Sequence, residues 1–187
     1  MGLLDFLGLG GGAAQPTDAS SAETVRKISA SLKQMDKEHA RYIACFAYLL
    51  GRVALADLDI SDEETREMEH IVAARADLSE DQAALVVQIA KTQNELFGGT
   101  ENYVIASEFN RIATRAQKVA LLHCLFAVSS SDRSISTVED NEIRMISQEL
   151  RLDHADFIAA RSAFREHLEV LKRPEESEPE DEQTEQE

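Results

Sequence analysis

The eight residues DLDISDEE, at positions 57–64, return seventy-five positions later as DRSISTVE, at positions 132–139. Both copies have the pattern Asp-x-x-Ile-Ser-x-x-Glu. A Ser followed three residues later by a Glu is typical of a capping box, in which each side chain hydrogen-bonds the backbone amide of the other residue. The motif therefore predicts that one helix begins at Ser61 and another at Ser136.

A long apolar stretch with helical spacing precedes each copy of the motif, and a further helical pattern follows each copy. No alternating strand pattern of useful length occurs, and the last helix is predicted over Asp153–Leu171. The sequence predicts an all-α, compact bundle of about seven to eight helices. We expect it to consist of two pseudo-symmetric three-helix repeats, residues 38–97 and 113–172.

The composition predicts one folded domain, residues 21–173, between two segments that lack regular structure. Residues 1–20 are Gly-rich after an apolar start, which predicts a flexible segment. Residues 174–187 contain eight acidic residues and no basic one, which predicts a disordered acidic tail.

The formal net charge of −16 argues against binding to nucleic acid, because phosphate contacts require clustered Lys and Arg. The same charge argues against anionic membrane surfaces, and no apolar run approaches the roughly 18 residues of a transmembrane helix. The apolar segment Leu3–Leu9 leaves two interpretations: a frayed terminus, or a weak contact with a membrane surface or a partner.

Cys45 and Cys124 each lie in an apolar helical pattern, without a Cys-x-x-Cys motif or a secretory signal. Two buried free thiols in a reducing compartment are therefore expected, which indicates a cytoplasmic protein. A disulfide between them stays an alternative at this point, since connectivity depends on the fold.

Acidic residues in both copies of the motif allow a second interpretation, in which they bind a metal ion. Asp57 and Asp132 follow apolar helices, at the end where the helix dipole disfavours an anion. They suit turns, because Asp can hydrogen-bond its own backbone. Alternatively, these aspartates and nearby glutamates together provide oxygen ligands for Ca²⁺ or Mg²⁺. The glutamates lie three residues apart, on one helix face. The candidate ligands are Asp57, Glu64, Glu67, Asp132, Glu139 and Glu142.

An EF-hand does not fit the first copy of the motif. Counting from Asp57, Asp62 occupies the position that requires Gly, and Met68 occupies the position of the bidentate Glu. Any site built on the motif would therefore be of another kind, and we expect it to bind weakly.

The duplicated Asp-x-x-Ile-x-x-x-Glu motif, each copy after a long apolar helix, resembles that of the tellurite-resistance protein B (TerB-like) family. The family includes the related N-terminal domain of some membrane-anchored J-domain co-chaperones. Its usual pattern has Gly after the Asp, where this chain has Leu58 and Arg133. The resemblance covers about residues 38–172. It implies an all-helical bundle with acidic turns, association with divalent metal, a role in tellurite or stress response, and no catalytic activity.

Three functional hypotheses follow. The first is a non-enzymatic adaptor that binds a protein partner and a divalent cation. The second is a carboxylate-bridged metal enzyme, which needs Glu-x-x-His on two helices. Glu67 and His70 provide one such pair, whereas Glu142 is followed by Met145. The third is a peripheral membrane or complex-assembly protein recruited through Leu3–Leu9.

Overall fold

A computed structural model describes residues 19–54, 61–92, 102–131 and 133–171. These residues form α-helices with two short 3₁₀ helices near the end, and no named strand occurs among them. The all-α prediction is confirmed. The helices in chain order are α1 (Ala19–Lys33), α2 (Lys37–Ala54), α3 (Asp62–Ala76), α4 (Glu80–Lys91), α5 (Asn102–Ile112), α6 (Arg115–Ser129), α7 (Thr137–Glu149) and α8 (His154–Ser162).

Reciprocal capping boxes define where several of these helices begin. In α4, the Ser79 amide donates to Gln82 at 3.0 Å, and the Gln82 amide donates back to the Ser79 hydroxyl at 3.3 Å. Thr114 and Gln117 make the same pair of bonds at the start of α6. Each box satisfies amides that have no partner within the helix, a contribution of about 1 kcal/mol.

The core lies around α2 and α6, the helices formed by the two apolar stretches. Helix α2 contacts α4, α5, α6 and α7, whereas α6 contacts α2, α3, α7 and α8. Aromatic side chains join neighbouring helices within this core. Phe46 and Tyr42 of α2 pack against Phe109 of α5, and Phe126 of α6 packs against Phe157 of α8. The two apolar stretches are therefore buried on most of their faces, as their composition predicts.

The helix that follows each apolar stretch packs across the molecule. Helix α3 contacts α6, and α7 contacts α2, so each motif-bearing helix lies against the central helix of the other segment. The helix order α2–α3–α4 is repeated in α6–α7–α8. This arrangement is the one that two repeats would produce, and the superposition of residues 38–97 on 113–172 stays a prediction.

The prediction of one helix over Asp153–Leu171 is wrong beyond Ser162. After α8 the chain continues as two short 3₁₀ helices, and Leu168 forms a parallel bridge with Ile135. The Ile135 amide donates to the His167 carbonyl at 2.7 Å, and the Glu169 amide donates to the Ile135 carbonyl at 3.1 Å. A helix continuing past Ser162 would forgo this pairing, which holds Leu168 and Ile135 in the core.

Both cysteines are buried and free, so the alternative of a disulfide between Cys45 and Cys124 is excluded. Helix α1 begins at Ala19, two residues before the predicted boundary of the domain. Residues 1–18 and 172–187, which include the apolar start and the acidic tail, lie outside the described residues. Over the ranges that the structure covers, no helix is long and apolar enough to cross a membrane.

Candidate functional site

The first copy of the motif begins α3 with a complete capping box. The Ser61 amide donates to Oε2 of Glu64 at 2.7 Å, and the Ser61 hydroxyl donates to the same oxygen at 2.8 Å. The Glu64 amide donates to the Ser61 hydroxyl at 3.2 Å. These bonds to the Ser61 side chain and backbone hold the pKa of Glu64 below its usual value. Glu64 is therefore charged at neutral pH and bonded through Oε2.

The second copy begins α7 in the same way. The Ser136 amide donates to Oε2 of Glu139 at 2.9 Å, and the Glu139 amide donates to the Ser136 hydroxyl at 3.2 Å. The prediction that both copies of the motif begin helices is confirmed. Capping therefore accounts for the serine and the first glutamate of each copy.

A groove of about 390 Å³ lies between the start of α3 and the end of α6. Three glutamates of α3 line it, together with an arginine of α3 and a serine that follows α6. The lining residues are Glu63, Glu64, Arg66, Glu67 and Ser131. Ser131 directly precedes Asp132, so the groove brings the glutamates of the first copy beside the turn of the second copy.

Glu142 of the second copy has a different environment, because it forms an ion pair with Arg52 of α2. The Arg52 guanidinium contacts Oε1 of Glu142 at 2.7 Å and also bonds Glu149 of α7. Only 6% of the Arg52 side chain is exposed. Burial alone would lower the pKa of Arg52, but the bonds to Glu149 and the charges of both carboxylates raise it above its ordinary value. Glu142 therefore already has a permanent cationic partner.

The remaining candidate ligands, Asp57 and Asp132, lie outside the described residues. Among the residues described, no group of three or more His, Cys, Asp or Glu is arranged to hold a metal ion. His70, which the enzyme hypothesis requires, is exposed on α3, and Met145 is exposed on α7.

The turn of the second copy contains a left-handed residue at the position where the TerB-like pattern has Gly. Arg133 has a φ of 69°, and its amide donates to the Ser130 carbonyl at 2.9 Å. A residue with a Cβ adopts this conformation at a cost of about 1 kcal/mol, whereas Gly adopts it freely. In this chain the left-handed conformation is thus adopted by a residue other than glycine.

Sequence reasoning missed Arg52, the residue that most distinguishes the two copies. Its partners are ninety and ninety-seven positions away, so no local pattern identifies them. A signal was present nonetheless. Arg52 is the only charged residue between Arg41 and Asp57, and a charge in an apolar helix usually has an opposite charge as partner.

One protein family, described as tellurite resistance protein TerB, matches residues 42–162 of the chain, from within α2 to the end of α8. The match includes both copies of the motif and the groove between them. No curated protein and no solved structure matches the chain.

Proposed function

The chain belongs to the family of the tellurite resistance protein TerB, and from this premise we propose that it is a non-enzymatic cytoplasmic adaptor. In this proposal it serves a tellurite or stress response and binds a divalent cation weakly at the acidic turns. The observation that carries the proposal is the groove between α3 and the end of α6, which is lined by glutamates of α3 and by Ser131, the residue directly before the second copy of the motif.

Carboxylate oxygens concentrate in this groove. Glu64 and Glu67 are three residues apart and share a face of α3, and Glu63 is adjacent. The positive end of the helix dipole already favours Glu63 and Glu64, which lie in the first turn. Glu67 lies beyond that turn, so the helix dipole stabilises its negative charge little. We therefore assign Glu67 as the residue most informative about a cation.

The chemistry of the groove suits Ca²⁺ or Mg²⁺, which bind carboxylate, hydroxyl and carbonyl oxygens. The proposed ligands are Glu64 and Glu67, together with Asp132, which directly follows Ser131 in the sequence. Arg66 also lines the groove, and its positive charge opposes a cation. We expect a dissociation constant on the order of 10⁻⁴ to 10⁻³ M, typical of loose Ca²⁺ sites.

Calorimetry on the chelator-stripped full chain tests this proposal, with Ca²⁺ and Mg²⁺ titrated separately. Saturating Ca²⁺ should raise the melting temperature, because an ion that binds only the folded state stabilises it. Glu67→Gln should abolish the rise. Glu69→Gln, the same change two residues along α3 and outside the groove lining, should preserve it. A melting temperature that is indifferent to both ions would defeat the proposal.

A protein partner is supported by a second observation, the exposed apolar residues near the end of the chain. Large apolar side chains are exposed along α7, α8 and the last 3₁₀ helix, and these are Val138, Met145, Ile158, Val170 and Leu171. Residues 23–54 and 61–92 expose none of comparable size. Tyr103 of α5 is the other large apolar side chain that is exposed among the described residues. Exposed apolar surface is typical of interaction sites.

The double variant Val138→Glu, Met145→His tests this surface, because it introduces the residues found at the matching positions of α3. A partner retained by the wild-type chain in affinity purification should be lost by the double variant. Tyr103→Ser, which removes an exposed aromatic residue from α5, should retain that partner. Equal recovery with all three chains would contradict a docking role for α7.

A further inference from the structure

A cleft of about 530 Å³ lies where the chain leaves α8. It is formed by the end of α8 and by the two 3₁₀ helices that follow, Arg165–His167 and Glu169–Leu171. We call it the α8 cleft. Its lining contains small, charged and apolar side chains, and these are Ser162, Ala163, Arg165, Glu166, Leu168 and Leu171.

Two buried side chains hold the α8 cleft in shape. The ring of Phe164 stacks on that of Phe126 in α6, with centroids 5.8 Å apart, and the Arg75 guanidinium lies over the Phe164 ring at 5.4 Å. Leu168 is buried and forms the bridge with Ile135. Because both anchors are set in the core, the cleft is already formed before anything binds in it.

Large apolar side chains are exposed beside the α8 cleft. Leu171 lines it and is 49% exposed, and Val170, next to it in the chain, is 60% exposed. Ile158 lies one helical turn before Ser162, whose hydroxyl donates to the Ile158 carbonyl at 2.7 Å, and it is 43% exposed. Burial of such side chains is favourable, so the cleft and its surroundings suit an apolar occupant.

Arg165 gives the α8 cleft a positive charge that lacks an acidic partner among the described residues. Arg115 and Arg161, in contrast, each pair with an aspartate, at 2.6 Å and 2.7 Å. The carboxylate of Glu166, which also lines the cleft, lies 3.6 Å from the imidazole of His167. An occupant with one carboxylate among apolar side chains therefore complements the cleft best.

Two other occupants fit these requirements poorly. Residues 174–187 follow the cleft directly but contain no large apolar side chain, so they cannot bury Leu171. A second copy of the chain would bring two molecules of net charge −16 into contact, and their charges repel.

We propose that the apolar segment Leu3–Leu9 of the same chain binds in the α8 cleft and covers Ile158, Val170 and Leu171. Leu3, Phe6 and Leu7 have the spacing that places apolar side chains on one face of a helix. Asp5 is the only charged residue of the segment, and it provides the carboxylate that Arg165 lacks.

The connecting residues 10–18 are long enough for this contact. Nine residues span up to about 30 Å when extended. A folded domain of this size has a radius of gyration of about 15 Å, so the connection reaches across most of the molecule. A short Gly-rich connection also gives the segment an effective concentration on the order of millimolar, so that a weak contact is sufficient.

This inference goes beyond the proposed function and divides the exposed apolar surface in two. The face of α7 with Val138 and Met145 stays available to a protein partner. The surface beside the α8 cleft is covered by the chain itself. Neither part involves the groove at the start of α3, so cation binding is independent of this contact.

The test places a nitroxide spin label on Gly2→Cys in the full chain and follows backbone amides by NMR. Cys45 and Cys124 are buried and their thiol pKa is raised to about 12, so the label reacts with the new thiol. At an effective concentration on the order of millimolar, the amide signals of Ala163, Glu166 and Leu171 should lose about half of their intensity or more.

Two sets of variants separate a specific contact from mere proximity. Phe6→Ser combined with Leu7→Ser should restore the lost intensity, whereas Ala13→Ser combined with Ala14→Ser should leave the loss unchanged. Arg165→Glu should restore the intensity as well, and adding Asp5→Arg to it should bring the loss back.

Variants of α7 serve as controls for charge and for the partner surface. Arg144→Glu, the same charge reversal at an exposed arginine of α7, should leave the loss of intensity unchanged. Val138→Glu combined with Met145→His should also leave it unchanged. A failure of the proposed partner surface is thereby distinguished from a failure of this contact.

A mixed sample of spin-labelled chain and unlabelled, ¹⁵N-enriched chain should show no loss of intensity at the cleft. A loss there would assign the cleft to a second copy and overturn the inference. A loss that survives Phe6→Ser with Leu7→Ser would overturn it too. So would an absence of any loss at the cleft in the labelled chain, and sedimentation with phosphatidylcholine vesicles would then identify a membrane surface as the target of the segment.

Discussion

The starts of α3 and α7 have the same backbone arrangement and different charge partners. Ser61 and Ser136 make matching capping boxes. Further along, Glu142 pairs with Arg52, whereas its counterpart Glu67 lines a groove. The cap is therefore part of the architecture, because both helices need it. The carboxylate beyond the cap is available to differ, because no backbone group depends on it.

The residues directly after the two capping glutamates also differ in their partners. Asp140 of α7 accepts a paired hydrogen bond from Arg161 of α8, with the closest contact at 2.7 Å. Its counterpart in α3 is Thr65, whose hydroxyl accepts from Lys91 of α4 at 2.8 Å. The second segment is thus held by ion pairs at positions where the first uses a neutral side chain.

Removing Arg52 should lower the stability of the fold more than any other change considered for these two helices. Arg52→Gln leaves Glu142 and Glu149 close together without their shared cation, so we expect the free energy of unfolding to fall by about 3 kcal/mol. Urea unfolding followed by circular dichroism measures this change. Lys91→Gln, which removes an exposed contact of the first segment, should cost less than about 1 kcal/mol. Similar losses from both variants would show that the Arg52 network is not specially stabilising.

The two caps should contribute equally to stability. Ser61→Ala and Ser136→Ala each leave helix-terminal amides without their partner, so each should lower the free energy of unfolding by about 1 kcal/mol. Ser61→Asp and Ser136→Asp serve as controls, because Asp also caps helices and should preserve most of the stability. A loss confined to one position would mean that only one of the two boxes contributes.

A substitution in the turn of the second copy should raise the stability of the fold slightly, whereas the changes above lower it. Arg133→Gly removes the strain of a left-handed residue that has a Cβ, so it should stabilise the fold. The gain should be only about 0.5 kcal/mol, because Gly also increases the conformational freedom of the unfolded chain. Thermal melting measures this change. Arg144→Gly, within α7, should instead destabilise the fold by about 1 kcal/mol. A destabilised Arg133→Gly variant would show that the contacts of this side chain outweigh the strain.

His123 of α6, whose counterpart in α2 is Tyr48, should make the stability of the fold depend weakly on pH. Burial first, and then the charge of Arg75, lower the pKa of His123. The unfolded chain therefore binds this proton more readily, and stability should fall as the pH drops below about 6.5 toward the folded pKa. His123→Gln should reduce the slope of melting temperature against pH in this window, and His70→Gln on the surface should preserve it. An unchanged slope in His123→Gln would assign the dependence to other groups.

The sequence predicted the helices well because their signals are local. Capping boxes at Ser61, Ser79 and Ser136 determine helix starts within four residues, and the apolar periodicity of α2 and α6 identified the central helices. The end of α8 was missed because it depends on Ile135, a partner more than thirty positions away along the chain. The ion pairs of Arg52 were missed for the same reason, because its partners Glu142 and Glu149 are distant in the sequence. These ion pairs distinguish Glu142 from Glu67, which lines a groove.

The buried thiols of Cys45 and Cys124 have a consequence for chemical reactivity. Burial raises the pKa of each thiol to about 12, so almost no thiolate, the nucleophilic form, exists near neutral pH. Alkylating or oxidising reagents should therefore modify these residues only when the surrounding helices separate. Because Cys45 belongs to α2 and Cys124 to α6, the rates at which a reagent labels them report the opening of the two central helices separately.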